Sequence, residues 1–284
     1  MDPRTRPYRS VLYIPGSKPR ALDKARNLPV DAVIFDLEDA VSVEEKENAR
    51  ETLATALAEG GYGARVRIVR INGLDTQWGR ADAEAAAKMD CDAILLPKVS
   101  SPADLDALAE IIGDKPLWAM METPRGMLNA AEIAAHPKLQ GMVMGTNDLA
   151  KELQTRFRAD RLPMMAGLGL CLLAAKAEGK IIVDGVYNAF KDDEGLKVEC
   201  DQGRDMGFDG KTLIHPAQVD VTNTAFAPSE AEIDLARRQI AAFEEVEASG
   251  QGVAVVDGKI VENLHVATAR EILAKADAIA AISA

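Results

Sequence analysis

Short apolar runs recur along this chain and alternate with longer stretches rich in alanine and charged residues. The runs fall at residues 11–15, 32–37, 65–71, 93–97, 117–121, 142–145, 181–185 and 211–214. Between them, residues 43–59, 81–89, 102–112 and 165–178 have the composition of helices. Near-continuous apolar strands joined by helices are the mark of a parallel sheet buried on both faces. Eight strand–helix units close a ring, so the pattern predicts an α/β fold, a (β/α)8 TIM barrel over residues 1–227. A doubly wound open sheet is the rival. Chemically promising residues end at least five different runs, however, which suits a ring better than one crevice.

After residue 227 the pattern changes. Ser229 with Glu232 three residues on has capping-box spacing and predicts a helix to about Ala248, stopped by Ser249-Gly250-Gln251-Gly252. Residues 253–256, the turn Asp257-Gly258-Lys259 and residues 260–262 read as a hairpin. An alanine-rich stretch at about 266–282 reads as a last helix. Residues 228–284 thus form a small C-terminal helix–hairpin–helix segment able to act as a lid.

With 284 residues and 48% hydrophobic content, the chain can bury one large core plus a small appendage, since a barrel takes ~250 residues. The net charge of −12 argues against a general binder of nucleic acid or anionic membrane, so no partner of either kind is expected. A phosphate-bearing ligand must instead meet a local basic cluster. Cys91, Cys171 and Cys200 are far apart and form no CxxC pair, which reads as buried thiols in a reducing compartment. No apolar signal core opens the chain and no run approaches ~20 apolar residues, so a soluble, cytoplasmic protein is expected.

Three runs end in acids: Phe35-Asp36-Leu37-Glu38-Asp39, Met121-Glu122-Thr123 and Gly145-Thr146-Asn147-Asp148. Carboxylates at strand ends, with no paired His or Cys, suit Mg²⁺; Glu122 and Asp148 are the candidate ligands. The alternative is that Asp148 caps the next helix and Glu122 pairs with Arg125. Asp36 is expected to orient a nearby arginine, and Glu38 and Asp39 to bind metal waters or the catalytic water. The dipole of the following helix could instead account for one of these acids.

Arg70 shares a strand face with Val66 and Ile68. It should therefore point into the barrel mouth and grip a carboxylate or developing oxyanion, or else pair with Asp36 alone. Lys18, Arg20 and Lys24 follow the first run beside Gly16, as a phosphate grip or as a solvated helix start. His215 ends the eighth run and is expected to line the ligand site; His136 reads as a surface residue and His265 as structural. No Ser–His–Asp order or nucleophile elbow is present.

Several motifs together carry a resemblance. They are Ser10-Val11-Leu12-Tyr13-Ile14-Pro15-Gly16, Phe35-Asp36-Leu37-Glu38-Asp39-Ala40-Val41, Arg70-Ile71-Asn72-Gly73, Glu122-Thr123, Gly145-Thr146-Asn147-Asp148-Leu149 and Gly207-Phe208-Asp209-Gly210-Lys211-Thr212-Leu213-Ile214-His215-Pro216. In this order, over essentially the whole chain, they resemble the citrate lyase β-subunit-like (HpcH/HpaI aldolase/citrate lyase) family. That family includes malyl-CoA lyases, citramalyl-CoA lyases and malyl-CoA thioesterases. Val186-Tyr187-Asn188-Ala189-Phe190-Lys191-Asp192 and Glu262-Asn263-Leu264-His265 look closest to its (3S)-malyl-CoA thioesterase branch.

The resemblance implies a barrel of the phosphoenolpyruvate-utilising type, dependent on Mg²⁺ or Mn²⁺ and acting on CoA thioesters. By position, Glu122 and Asp148 would hold the metal and Arg70 the malyl or 2-oxo oxygens. Tyr13, Lys18, Lys24, Ile214 and His215 would border the CoA thioester, with Glu122 and Asn147 also facing substrate. The implied reaction is hydrolysis of (3S)-malyl-CoA to malate and CoA. Its alternatives are retro-Claisen cleavage of malyl-CoA, β-methylmalyl-CoA or citramalyl-CoA, and a citrate lyase β subunit working on an acyl-carrier protein. A homotrimer or homohexamer is implied as well, with the lid exchanged onto a neighbouring subunit.

One departure bears on the reaction. Lyases of the family carry aspartate in a lid pattern Gly-x-Met-Ile/Val-Asp, whereas this chain reads Gly258-Lys259-Ile260-Val261-Glu262. The added methylene moves the carboxylate by ~1.5 Å, and a misplacement of about 1 Å can cost ~10²-fold in rate. Glu262 is therefore expected to direct water onto a thioester carbonyl rather than to serve carbon–carbon chemistry.

Overall fold

Eight short strands pair in parallel, each with the next in sequence, and the last returns to the first to close a barrel. They are β1 (Ser10–Pro15), β2 (Ala32–Asp36), β3 (Val66–Arg70), β4 (Ala93–Leu96), β5 (Leu117–Met121), β6 (Leu139–Met144), β7 (Ile181–Asp184) and β8 (Gly210–Leu213). This computed structural model describes residues 6–250 and 252–283. Residues 1–5 and Gln251, on which the readings of the leader and of the helix stop partly rest, lie outside them.

Helices cover the outside: α1 (Pro19–Ala25), α2 (Lys46–Glu59), α3 (Gly79–Ala86), α4 (Pro102–Ile112), α5 (Pro124–Leu128), α6 (Ala130–Ala134), α7 (Thr146–Glu152), α8 (Met165–Ala177), α9 (Asp193–Met206) and α10 (Val219–Phe226). The stretch 43–59 is a 3₁₀ turn, Val43–Glu45, followed by α2.

Side chains alternate between two apolar layers, as strand geometry requires. Val11, Ile34, Val66, Ile68, Leu95, Trp118, Met120, Val143 and Val183 fill the inside. Phe35, Val69, Ile94, Met121, Met142 and Ile182 face outward, onto Leu53, Leu108, Ile133, Leu168 and Leu196 of the helices. Because the period is two, the inward parity of Ile34, Ile68 and Met120 passes to Asp36, Arg70 and Glu122 at the strand ends. Asp36 and Arg70 are also register partners on adjacent strands.

β6 begins three residues before the apolar run 142–145 that marks it. Trp118 explains why: its indole packs against Gly141, where a Cβ would come within 2.5–2.7 Å of the ring. Its Nε1 donates to Gln140 Oε1 at 2.9 Å, and the Tyr8 ring packs against it, tilted by 47° at 5.5 Å between centroids. The two residues that break the apolar pattern are the ones that accommodate the largest interior side chain.

His136 is buried, not on the surface as its place before Pro137 predicts, with Nε2 3.2 Å from Asp106 Oδ1. Cys91, Cys171 and Cys200 are free and buried. Among the described residues no helix is long and apolar enough to cross a membrane.

The barrel residues Tyr8–Phe226 form one compact unit, and a second begins at Ala227. The second contains α11 (Glu230–Ser249), a hairpin of β9 (Val255–Val256) and β10 (Lys259–Ile260), and α12 (Asn263–Ser283). Ser229 and Glu232 form the capping box. Asp257 and Gly258 both have positive φ (50° and 75°), the conformation of a type I′ two-residue turn. Ala254, Val256, Val261 and Val266 pack with Leu235, Phe243 and Val246 in a small core of their own.

The Gly141→Ala change should destabilise the fold by about 1–3 kcal/mol, the usual cost of overpacking. Urea unfolding measures this; an unchanged midpoint would contradict the packing role given to Gly141.

Candidate active site

The C-terminal end of the barrel gathers charge around one turn, residues 36–40. Asp36 Oδ1 accepts from the Glu38 N–H (2.8 Å) and from Arg70 Nε (2.8 Å). Its Oδ2 accepts from the Ala40 N–H (2.9 Å) and Arg70 Nη2 (2.5 Å). Four donors on one carboxylate make Asp36 an orienting group. Lys46 Nζ donates to the carbonyls of Leu37 (3.1 Å) and Glu38 (2.9 Å) and lies 5.3 Å from the Trp78 ring centre. Asn72 Nδ2 donates to Leu37 O at 2.8 Å and to Asp82 at 2.6 Å.

Arg70 is the hub. Its guanidinium lies 4.9 Å from the Tyr13 ring centre, and Nη1 sits 2.7 Å from Glu38 Oε2 and 3.7 Å from Asp39 Oδ2. Burial opposes its charge, but Asp36, Tyr13 and Glu38 outweigh burial and raise its pKa further. The pairing thus extends beyond Asp36.

Glu38 Oε2 is buried and close enough to Arg70 for an ion pair, yet too poorly aligned for a hydrogen bond. Burial pushes the Glu38 carboxyl up to about 7 against the pull of Arg70; Asp39 and Asp36 add to the rise and Lys98 opposes it. Asp39 itself is exposed.

Glu122 follows β5 and is buried. Its Oε1 accepts from the Lys98 N–H at 2.8 Å, and it makes no ion pair with Arg125 among the described residues. Thr123 Oγ1 caps α5. Burial, then Glu38 and, less, Asp148 push Glu122 up to about 7, while the Lys98 N–H and Arg70 pull it down. Gly145 lies directly against it: a Cβ there would collide with Glu122 Cβ and Oε2. Asp148 is half-buried in the first turn of α7, which Gly145 opens with no side-chain cap.

Among the described residues no three His, Cys, Asp or Glu side chains converge to encase an ion. A pair of oxygen donors, one of them the buried Glu122 whose carboxyl is pushed up to about 7, nonetheless fits a hard divalent cation that keeps several waters.

The remaining predicted residues are more dispersed. Tyr13 faces the interior, its hydroxyl 3.4 Å from Met120 Sδ. Asn147 and Asn188 exchange amide hydrogen bonds at 3.2 and 2.8 Å. Lys18 forms an exposed ion pair with Glu45 at 2.9 Å, and Arg20 and Lys24 are exposed on α1. Ile214 and His215 are exposed; His215 stacks on Phe190 at 4.6 Å, its Nδ1 accepting from the Ala217 N–H. Glu262, in the second unit, is exposed and donates its N–H to His265 Nδ1 at 2.9 Å.

Four residues received no role in the sequence reading: Lys46, Asn72, Lys98 and Gly145. Asn72 and Gly145 stand inside two of its motifs, and Lys98 is the first charge after the fourth apolar run.

The raised carboxyls set a pH signature. Glu38 and Glu122 titrate near 7 when folded and near their ordinary 4.5 when unfolded. Between these values the folded state binds more protons, so stability falls as pH rises through the window. A bound dication would relieve that penalty. Mg²⁺ should therefore raise the melting temperature more at about pH 8 than at about pH 5.5; an equal rise at both, by scanning calorimetry, would contradict the placement of these acids.

Residues 9–216 match the HpcH/HpaI aldolase/citrate lyase family. The (3S)-malyl-CoA thioesterase of Cereibacter sphaeroides is 70% identical over 284 residues, covering all of both chains. Citrate lyase subunit beta of Escherichia coli is 34% identical, over 96% of this chain and 95% of its own. Among solved structures, Mycobacterium tuberculosis CitE in complex with magnesium, acetoacetate and coenzyme A superposes with a TM-score of 0.80 at 32% identity, over 96% of this chain and 99% of that one. The acids and arginine of the barrel mouth thus stand in a chain that belongs to the HpcH/HpaI aldolase/citrate lyase family.

Proposed function

We propose that this enzyme hydrolyses (3S)-malyl-CoA to malate and free CoA with the help of Mg²⁺, Mn²⁺ serving in its place. The observation that carries the reading is Glu38, a buried carboxyl raised to about 7 beside a fixed arginine, within a chain 70% identical to a (3S)-malyl-CoA thioesterase. A general base works best when its pKa lies near the working pH. Within the turn, Asp36 is occupied by four donors and Asp39 is exposed, which leaves Glu38 to accept the proton of water, with Glu262 as the lid's contribution.

Glu122 and Asp148 would hold the metal, which when bound supplies chelation and charge for the malyl hydroxyl and carboxylate. Asp36 fixes Arg70, and Arg70 offsets negative charge on the substrate oxygens. Water adds to the thioester carbon as Glu38 takes its proton. The carbon–sulfur bond then breaks, and the departing thiolate recovers that proton. Tyr13, Lys18, Lys24, Asn147, Ile214 and His215 are the residues proposed to border the CoA thioester. We place the enzyme in the cytoplasm as a homotrimer or homohexamer, with residues 228–284 as the lid.

Retro-Claisen cleavage is the second reading, favoured by the similarity to citrate lyase subunit beta. The test is incubation of purified protein with (3S)-malyl-CoA and Mg²⁺, product separation and an EDTA control. Free CoA with malate, and no glyoxylate, is the expected result; acetyl-CoA with glyoxylate would overturn hydrolysis in favour of cleavage.

A further inference from the structure

The barrel mouth contains a second cation that the account so far leaves without a task. Lys98, just past β4, has φ +54°, a left-handed conformation that side chains other than Gly, Asn and Asp seldom adopt. That conformation accompanies the grip of its N–H on Glu122 Oε1 at 2.8 Å. Its side chain turns inward as well, with Nζ 3.9 Å from Glu38 Oε1. One residue thus touches the proposed metal ligand through its backbone and approaches the proposed base through its ammonium.

We propose that Lys98 is a catalytic residue, its ammonium donating to the oxyanion that forms when water adds to the thioester carbon; this rests on the hydrolytic reading above. The case turns on which cation is free to meet new charge. Arg70 has Nε and Nη2 bonded to Asp36 and Nη1 2.7 Å from Glu38, so its guanidinium is pinned where it stands and cannot move to follow charge as it develops. Lys98 is half exposed, and its 3.9 Å approach to Glu38 is too long for a hydrogen bond. Its three rotatable donors can therefore swing to a new oxygen. Burial works against its charge, but Glu38, Asp148, Glu122 and Asp39 all favour it.

The step balances in atoms and charge. Oxygen of water bonds to the carbonyl carbon, the water proton passes to Glu38, and the carbonyl π electrons move onto the oxygen that Lys98 faces. Collapse of that oxyanion breaks the carbon–sulfur bond, and the thiolate of CoA takes the proton from Glu38.

Lys98→Gly separates the ammonium from the backbone N–H, because glycine accepts the left-handed conformation and keeps the bond to Glu122. The variant should stay folded by circular dichroism. It should bind Mn²⁺, read by electron paramagnetic resonance, as tightly as the parent or tighter, since a positive charge beside Glu122 and Asp148 is gone. With (3S)-malyl-CoA, KM should change little while kcat falls about 10²-fold, the usual loss for an oxyanion donor, and Lys98→Arg should recover part of it. A kcat within about threefold of the parent, or weakened Mn²⁺ binding that accounts for the lost rate, would overturn the proposal. Products of the parent enzyme report separately on the hydrolytic reading. If the parent releases acetyl-CoA and glyoxylate, that reading fails, and an unchanged kcat ratio for this cleavage would remove Lys98 from the chemistry too.

Discussion

The Arg70–Asp36 pair is the contact on which the barrel mouth depends. Removing two ions from water is costly, and the loss is offset only when geometry is good and the remaining lone pairs are bonded. Strand register meets the first condition, since Asp36 and Arg70 stand opposite each other on β2 and β3. The backbone meets the second, with the Glu38 and Ala40 N–H groups completing the shell of Asp36. The same two bonds fold residues 36–40 into the turn that carries Glu38 to Arg70. Loss of Asp36 would release that turn, and loss of Arg70 would leave the buried Asp36 charge with its two backbone donors only.

Around this pair the charges do not balance. Asp36, Glu38, Asp39, Glu122 and Asp148 face Arg70 and Lys98, and burial, with the neighbouring acids adding to it, drives Glu38 and Glu122 up to about 7. Such a site is unstable toward protonation or toward a dication, and Gly145 keeps the Glu122 oxygen uncovered for the latter. One feature thereby serves two ends: it makes Glu38 a base suited to neutral pH and makes Glu122 receptive to metal. Activity sites commonly trade local stability for such poise.

The barrel was legible because strands buried on both faces leave continuous apolar runs, and because two-residue parity continues past each run into Asp36, Arg70 and Glu122. Legibility failed where tertiary contact overrides local pattern. Gln140 and Gly141 look like a break in an apolar run but belong to β6, accommodating Trp118. His136, in the loop after α6, is buried with its ring against Asp106 of α4. Lys46 folds back onto carbonyls eight and nine residues before it, Asn72 reaches a carbonyl of a distant turn, and Lys98 acts through a left-handed backbone; no spacing rule encodes contacts of this kind. The C-terminal hairpin was found by its Asp-Gly turn, although its paired strands are only two residues each.

The most direct test of this account is the divalent-metal affinity of the parent protein beside Glu122→Gln and Asp148→Asn, titrated with Mn²⁺ and followed by electron paramagnetic resonance. The account predicts one strong site per chain in the parent, weakened at least about tenfold in each variant while circular dichroism stays unchanged. Undiminished binding in both folded variants would contradict it, and would place the ion, and the chemistry built around it, elsewhere.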